Sequence, residues 1–147
     1  MSAEENKAVI RRWLDVWNTG AVEELEALIT PDYVRHTNGS TERPEAAPAW
    51  YGRLVTTART IYPDFHVTAD VQLAEGDMVV TRWTVRGTHQ GEWNTPLGTT
   101  LAPTGKQVTF TGVTIARLAN GAITEEWWES DRLGRLQHLG ALPAATA

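Results

Sequence analysis

Asp131 stands where a strand pattern gives way to a helical one, in Glu129-Ser130-Asp131-Arg132-Leu133. A carboxylate beside an apolar cavity can take a proton from an activated carbon and return it to a new alkoxide, because desolvation lifts a carboxyl pKa toward working pH. The same position is also a favoured helix cap, and capping alone would account for it. His89 ends a strand in Gly87-Thr88-His89. Imidazole titrates near neutrality and can share a proton with a carboxylate. Strand parity with Trp83 and Val85 turns His89 inward, although a hydrogen-bonded structural histidine at a strand end satisfies the same pattern. His36, after Tyr33-Val34-Arg35, is placed to reach the same mouth or to sit in a surface loop. In Ile123-Thr124-Glu125-Glu126-Trp127-Trp128-Glu129, alternation puts Glu125, Trp127 and Glu129 on one face and Glu126 and Trp128 on the other. Either face carries a tryptophan and a carboxylate. The glutamates could equally pair with Arg82, Arg86 or Arg117 across a sheet.

Other chemistries lack their residues. The chain has no cysteine, and its four histidines show no ligand spacing, so neither a metal nor a cofactor is expected. The serines, Ser2, Ser40 and Ser130, lie outside any nucleophile elbow, and no glycine-rich phosphate loop occurs. A net charge of −5 argues against a nucleic-acid partner. The N-terminal residues lack the basic and apolar regions of a signal peptide, and no apolar run approaches the ~18 residues of a membrane span. The expected setting is therefore the cytoplasm, without a membrane partner. Seven tryptophans in 147 residues are the one compositional excess. They either fill a core or line a cavity for a small apolar organic ligand.

The elements that must position these residues fall into two halves of one domain spanning 1–147. Val9, Ile10, Trp13, Leu14 and Trp17 form the stripe of an amphipathic helix that stops at Asn18-Thr19-Gly20. A short helix over 22–29, an extended Tyr33–His36 piece and a helix from Pro44 to about Ile61 follow. From Phe65 the period becomes two: Phe65, Val67, Ala69, Val71 and Leu73 share a face, and strands follow over 78–89, 108–118 and 123–129. Glu75-Gly76-Asp77 and Asn120-Gly121 are tight turns. Residues 91–106, with Pro96, Gly98, Pro103 and Gly105, read as a long loop, and 131–139 as a closing helix. Helices first and an antiparallel meander after predict an α+β fold with helices on one face of the sheet.

The ordered set of segments resembles the SnoaL-like polyketide cyclase (ester cyclase) family. It comprises Asn6–Arg12, Val16-Trp17-Asn18-Thr19-Gly20, Pro31–His36, Arg86–Gly91, Pro103–Lys106, Thr109–Gly112, Gly121–Trp127, Asp131–Gly134 and Leu136–Gly140, covering about 6–140. The resemblance implies a cone-shaped, curved antiparallel sheet packed on N-terminal helices, as in nuclear transport factor and ketosteroid isomerase. It also implies cofactor-independent aldol-type cyclisation of an apolar or polycyclic carbonyl compound, and a homodimer or larger assembly. It puts the catalytic acid/base at Asp131, to which the reading of the residues adds His89 as a partner. Trp127 becomes a pocket wall, alongside His36, Glu125, Trp83, Trp17 and Trp13 as substrate-binding candidates. The loop between Gly91 and Pro103 is longer than the family pattern. Two alternatives remain: epoxide hydrolysis or isomerisation on the same cone, with Arg82 or Arg86 beside Asp131, and a ligand-binding or dimerisation module without catalysis.

Overall fold

A computed structural model describes residues 1–143. Helix α1 (Ala3–Thr19) starts at a capping box, in which Ser2 accepts from the Glu5 amide while the Glu5 carboxylate accepts from the Ser2 amide. It ends at Gly20, whose φ of 76° closes the helix in the left-handed region. The expected 22–29 helix is shorter. A single 3-10 turn, Val22–Glu24, leads into α2 (Leu25–Leu28), and Ile29 already begins a strand. Residues Leu28 and Ile29 are both buried, so their burial and not their helical period carries the pattern. Helix α3 (Ala47–Ile61) follows β1 (Ile29–Thr37) and β2 (Ser40–Glu42).

The second half is a meander of β3 (His66–Glu75), β4 (Met78–Thr88), β7 (Gln107–Ala119) and β8 (Ala122–Ser130), then α4 (Arg132–His138). Residues 91–106 are not a bare loop, for they hold a small hairpin of β5 (Trp93–Asn94) and β6 (Thr100–Leu101). The main sheet runs β2-β1-β8-β7-β4-β3 and stays open. It is antiparallel except at β1–β8, which is parallel, so the sheet is mixed where an antiparallel one was expected. The long connection from β1 through α3 and the meander to β8 allows that parallel pairing.

Helices α1 and α3 cover the inner face of the curved sheet and make the cone. Asn18 at the end of α1 exchanges two hydrogen bonds with the Val67 backbone, and the Arg59 guanidinium of α3 reaches the Trp17 and Asn18 carbonyls. Val9, Ile10, Trp13 and Leu14 are buried against the sheet, each such apolar side chain contributing roughly 1.5–3 kcal/mol. In β3 the single face expected for residues 65–73 does not hold. A bulge between Ala69 and Val71 reverses the parity, so Val67 faces the core while Val71 and Leu73 face out. Among the described residues no helix is long and apolar enough to cross a membrane.

Candidate active site

Between α1, α3, the inner face of the sheet and the β5–β6 hairpin lies a cavity of about 270 Å³. Its walls are aromatic: Trp13 and Trp17 from α1, Phe65 from the turn before β3, Trp83 and Phe110 from the sheet, Trp93 from the hairpin and Trp128 from β8. Trp83 anchors one wall, because its Nε1 donates to Thr114 Oγ1 at 3.0 Å and its ring stacks on Trp128 at 5.6 Å. Gly112 lies directly across β7 from Trp83, and a Cβ there would overlap the indole ring.

The polar groups of the cavity are few. They include Arg35, Arg132, Arg135 and Tyr62, and no described carboxylate lines it. Arg135 Nε donates to the Tyr62 hydroxyl oxygen at 2.8 Å, while its guanidinium lies over Trp93 at 3.9 Å and Phe110 at 4.8 Å. Accepting from arginine leaves the Tyr62 proton available to another acceptor. Burial pushes the Tyr62 pKa above the ordinary phenol value against the pull of Arg135, so the phenol keeps its proton at neutral pH.

Behind Arg35 is a sealed acid. Glu126 is 1% exposed, and the Tyr33 hydroxyl donates to its Oε2. Burial raises the Glu126 pKa, opposed by the charge of Arg35. Arg35, 7% exposed, has Glu126 opposite on β8 and Glu42 opposite on β2, giving a carboxylate–guanidinium–carboxylate row across three strands. Its guanidinium stacks over Trp128 at 4.9 Å.

The expected site residues separate into four places. Trp13, Trp17 and Trp83 line the cavity. Asp131 lies exposed at the β8–α4 junction, where its Oδ1 caps α4 by accepting from the Gly134 amide at 2.8 Å; the next residue, Arg132, lines the cavity. His89 is fully buried beneath the 91–106 segment and outside the cavity lining. Its Nδ1 accepts from the Thr104 amide at 3.2 Å, which leaves the ring proton on Nε2. Burial lowers its pKa, so the ring is neutral at pH 7. The ring packs 6.0 Å from that of Tyr62, which lines the cavity. No hydrogen bond joins His89 to Asp131 among the described residues.

His36, Glu125 and Trp127 do come together, but on the outer face. His36 Nε2 meets Glu125 Oε1 at 2.9 Å and the imidazole stacks on Trp127 at 5.1 Å, with Arg117 Nε on the other Glu125 oxygen at 3.3 Å. The expected Trp127 wall is therefore supplied by Trp128, since alternation along β8 sends the two tryptophans to opposite faces. Arg82 and Arg86 also face out, Arg82 pairing with Asp70 at 2.5 Å, so neither joins Asp131. Missing from the sequence reading are Arg35, Tyr62, Trp93, Arg132 and Arg135. An inward tyrosine–proline turn and a lone tryptophan in a Gly/Pro-rich segment are weak signals, and the arginines read as ordinary surface charge.

The chain as a whole is similar to solved structures. AclR of Streptomyces galilaeus, provisionally described as a hydroxylase, superimposes with a TM-score of 0.84 at 28% identity over 99% of this chain and 87% of its own. IdmH of Streptomyces antibioticus, provisionally described as a polyketide cyclase, gives 0.75 at 31% identity over 92% of this chain and 98% of its own. A protein of Acidithiobacillus ferrooxidans with the same provisional description gives 0.76 at 28% identity over 96% of this chain and 99% of its own. None of the curated proteins matches the chain in sequence. The family model for SnoaL-like polyketide cyclases matches residues 7–139, nearly the full length, and the chain belongs to that family.

Proposed function

We propose that this chain is a cofactor-independent enzyme that performs aldol-type ring closure on a flat, apolar carbonyl compound. The observation that carries the reading is the Arg135–Tyr62 pair on the wall of an aromatic cavity. A phenol already bonded to a guanidinium is a strong, preorganised donor to a carbonyl oxygen that gains charge as a neighbouring carbon loses its proton. Asp131 is the proton acceptor in this scheme. Its Oδ1 is held by the Gly134 amide at the start of α4, the next residue, Arg132, lines the cavity, and Oδ2 is left for a substrate that extends past Arg132. The same carboxyl then returns the proton to the alkoxide, so the cycle consumes no cofactor. His89 positions Tyr62 from behind and does not touch substrate. Glu126 stands opposite Arg35, and its charge favours the guanidinium. A test is deuterium uptake at the acidic carbon of a naphthyl-substituted 1,3-diketone in D₂O, followed by NMR. Exchange faster than buffer, and lost with Tyr62→Phe or Asp131→Asn, is expected. Exchange at the buffer rate sinks the enzymatic reading.

One observation favours a second reading, hydrolysis of an epoxide by an acid–arginine–acid group. The Glu42–Arg35–Glu126 row has that composition. It ranks second because Glu126 is shut off from the cavity, whereas the Tyr62–Arg135 pair of the ring-closure scheme lies on its wall. Hydrolysis of styrene oxide, abolished by Glu126→Gln in a folded protein, would reverse the order.

The exposed sheet face completes the proposal. Leu73, Val80, Ile115, Trp127 and His36 stand opposite one another in a row across five strands, flanked by Val71 and Val113. Leu73 is 64% exposed and Val71 53%. We assign this face to a second copy of the chain, which would cover apolar surface otherwise left to water.

A further inference from the structure

We propose that the cavity takes a ligand bearing a permanent carboxylate, a flat aromatic acid whose anionic end is held between Arg132 and Arg135. This rests on the cavity being the substrate site and adds the class of compound it admits.

The charge balance is the starting point. The chain carries a net −5, yet the charged side chains lining the cavity are Arg35, Arg132 and Arg135. Arg35 has Glu126 and Glu42 opposite it on the neighbouring strands, and against burial their charges help to hold its pKa up, although neither forms a salt bridge with it. Arg132 and Arg135 enter no ion pair among the described residues. Each is instead held by a neutral oxygen. With the Asn38 amide turned so that its oxygen faces Arg132, that oxygen accepts from Nη2 at 2.8 Å. Arg135 Nε is taken by Tyr62. Neutral acceptors orient a guanidinium without cancelling its charge.

The two cations are also close enough to feel each other. Arg135 has its pKa pressed down, first by burial and also by the charge of Arg132. Bringing two like charges into an apolar cavity is unfavourable unless something negative joins them. The aromatic rings offset part of that cost for Arg135, since Trp93 and Phe110 lie against its guanidinium. Those rings occupy the faces of the fork. Its Nη1 and Nη2 have no acceptor among the described residues. An arginine fork matches a carboxylate with two parallel hydrogen bonds, and the match is strongest where water is excluded. Beyond this end the walls are indole and phenyl rings, which suit fused aromatic rings. A planar carboxylate also leaves more of the 270 Å³ to those rings than a tetrahedral anion would.

The test is equilibrium binding by calorimetry of 2-naphthoate, its neutral methyl ester and 1-naphthyl phosphate to the full chain, with no turnover involved. The expected result is 2-naphthoate binding at least about tenfold tighter than the ester and tighter than the phosphate. Arg132→Gln and Arg135→Gln should each weaken the acid about tenfold, the range of a lost charged hydrogen bond, and weaken the ester less, so that the preference for acid over ester falls in both. Arg132→Gln keeps the aromatic packing of Arg135, so one variant remains informative if the other fails to fold. Equal or tighter binding of the ester, tighter binding of the phosphate, or acid binding unchanged in both variants overturns the proposal. An inactive protein that still prefers the acid retains this inference and loses the enzymatic one. A protein that exchanges the diketone proton but binds acid and ester alike does the reverse.

Discussion

Arg35 and Glu126 stand directly opposite each other across the parallel β1–β8 pair, both turned into the cone and both nearly inaccessible to water. Their charges are mutually dependent. Truncating one strands the other in an apolar interior, so Arg35→Leu or Glu126→Leu should each cost about 3–5 kcal/mol. The double variant should recover most of that loss, since an apolar pair of similar volume replaces two buried ionisable groups. Urea unfolding of the two single variants and the double one measures the coupling, and additive losses would show that the pair is not linked.

The same carboxyl sets a pH signature. Burial holds the folded Glu126 pKa above its unfolded value of about 4.5. Both states are protonated below the unfolded pKa, where its stabilising contribution is fully present, and that contribution declines as pH rises through the raised folded value. Glu126→Gln cannot titrate. The stability difference, wild type minus Glu126→Gln, should therefore fall with rising pH across that window. A difference that rises with pH would mean that Arg35 outweighs burial.

Asp131 separates catalysis from capping. Asparagine caps a helix about as well as aspartate, so Asp131→Asn should leave the melting temperature nearly unchanged while diketone exchange falls about 10²–10⁴-fold. Asp131→Ala should lose the same activity and, in addition, ~1 kcal/mol of stability with the cap. An active asparagine variant assigns Asp131 to structure alone.

Gly112→Ala tests the wall built by Trp83. The added methyl must displace the indole or the β8 backbone at Glu129. Overpacking of this kind costs about 1–3 kcal/mol. Because Trp83 also stacks on Trp128, the shift should alter tryptophan fluorescence and weaken 2-naphthoate binding at unchanged charge. A variant of wild-type stability and spectrum would show that the ring moves freely.

The outer row predicts its own disruption. Leu73→Glu places a charge at the β3 end of the apolar row, opposite Val80, while leaving the cavity untouched. The wild type should run as a dimer in light scattering at micromolar concentration and this variant as a monomer of unchanged circular dichroism. A monomeric wild type removes the second copy from that face.

The sequence by itself determined α1, the strands of the meander and which tryptophans face inward from α1 and β4, but not the early start of β1 or the β5–β6 hairpin. Periodicity is a local property, and the stripe of Val9, Ile10, Trp13 and Leu14 or the alternation of Val79, Thr81, Trp83 and Val85 needs no knowledge of distant partners. It also placed Asp131 at a helix start, since capping chemistry is local. Alternation in β8 fixed that Trp127 and Trp128 oppose each other but not which one faces the cavity. That choice came from the parallel pairing with β1, which puts Glu126 beside Arg35 and Trp127 beside His36. The bulge in β3 likewise turned Val71 and Leu73 outward by inserting one residue that no hydrophobic pattern announces. The site depended most on tertiary structure. Arg135 and Tyr62 are 73 positions apart, and Arg35 and Glu126 are 91 apart. A charged side chain reads as surface in a sequence, and only a fold that surrounds it with Trp93, Phe110 and Tyr62 makes it a cavity group.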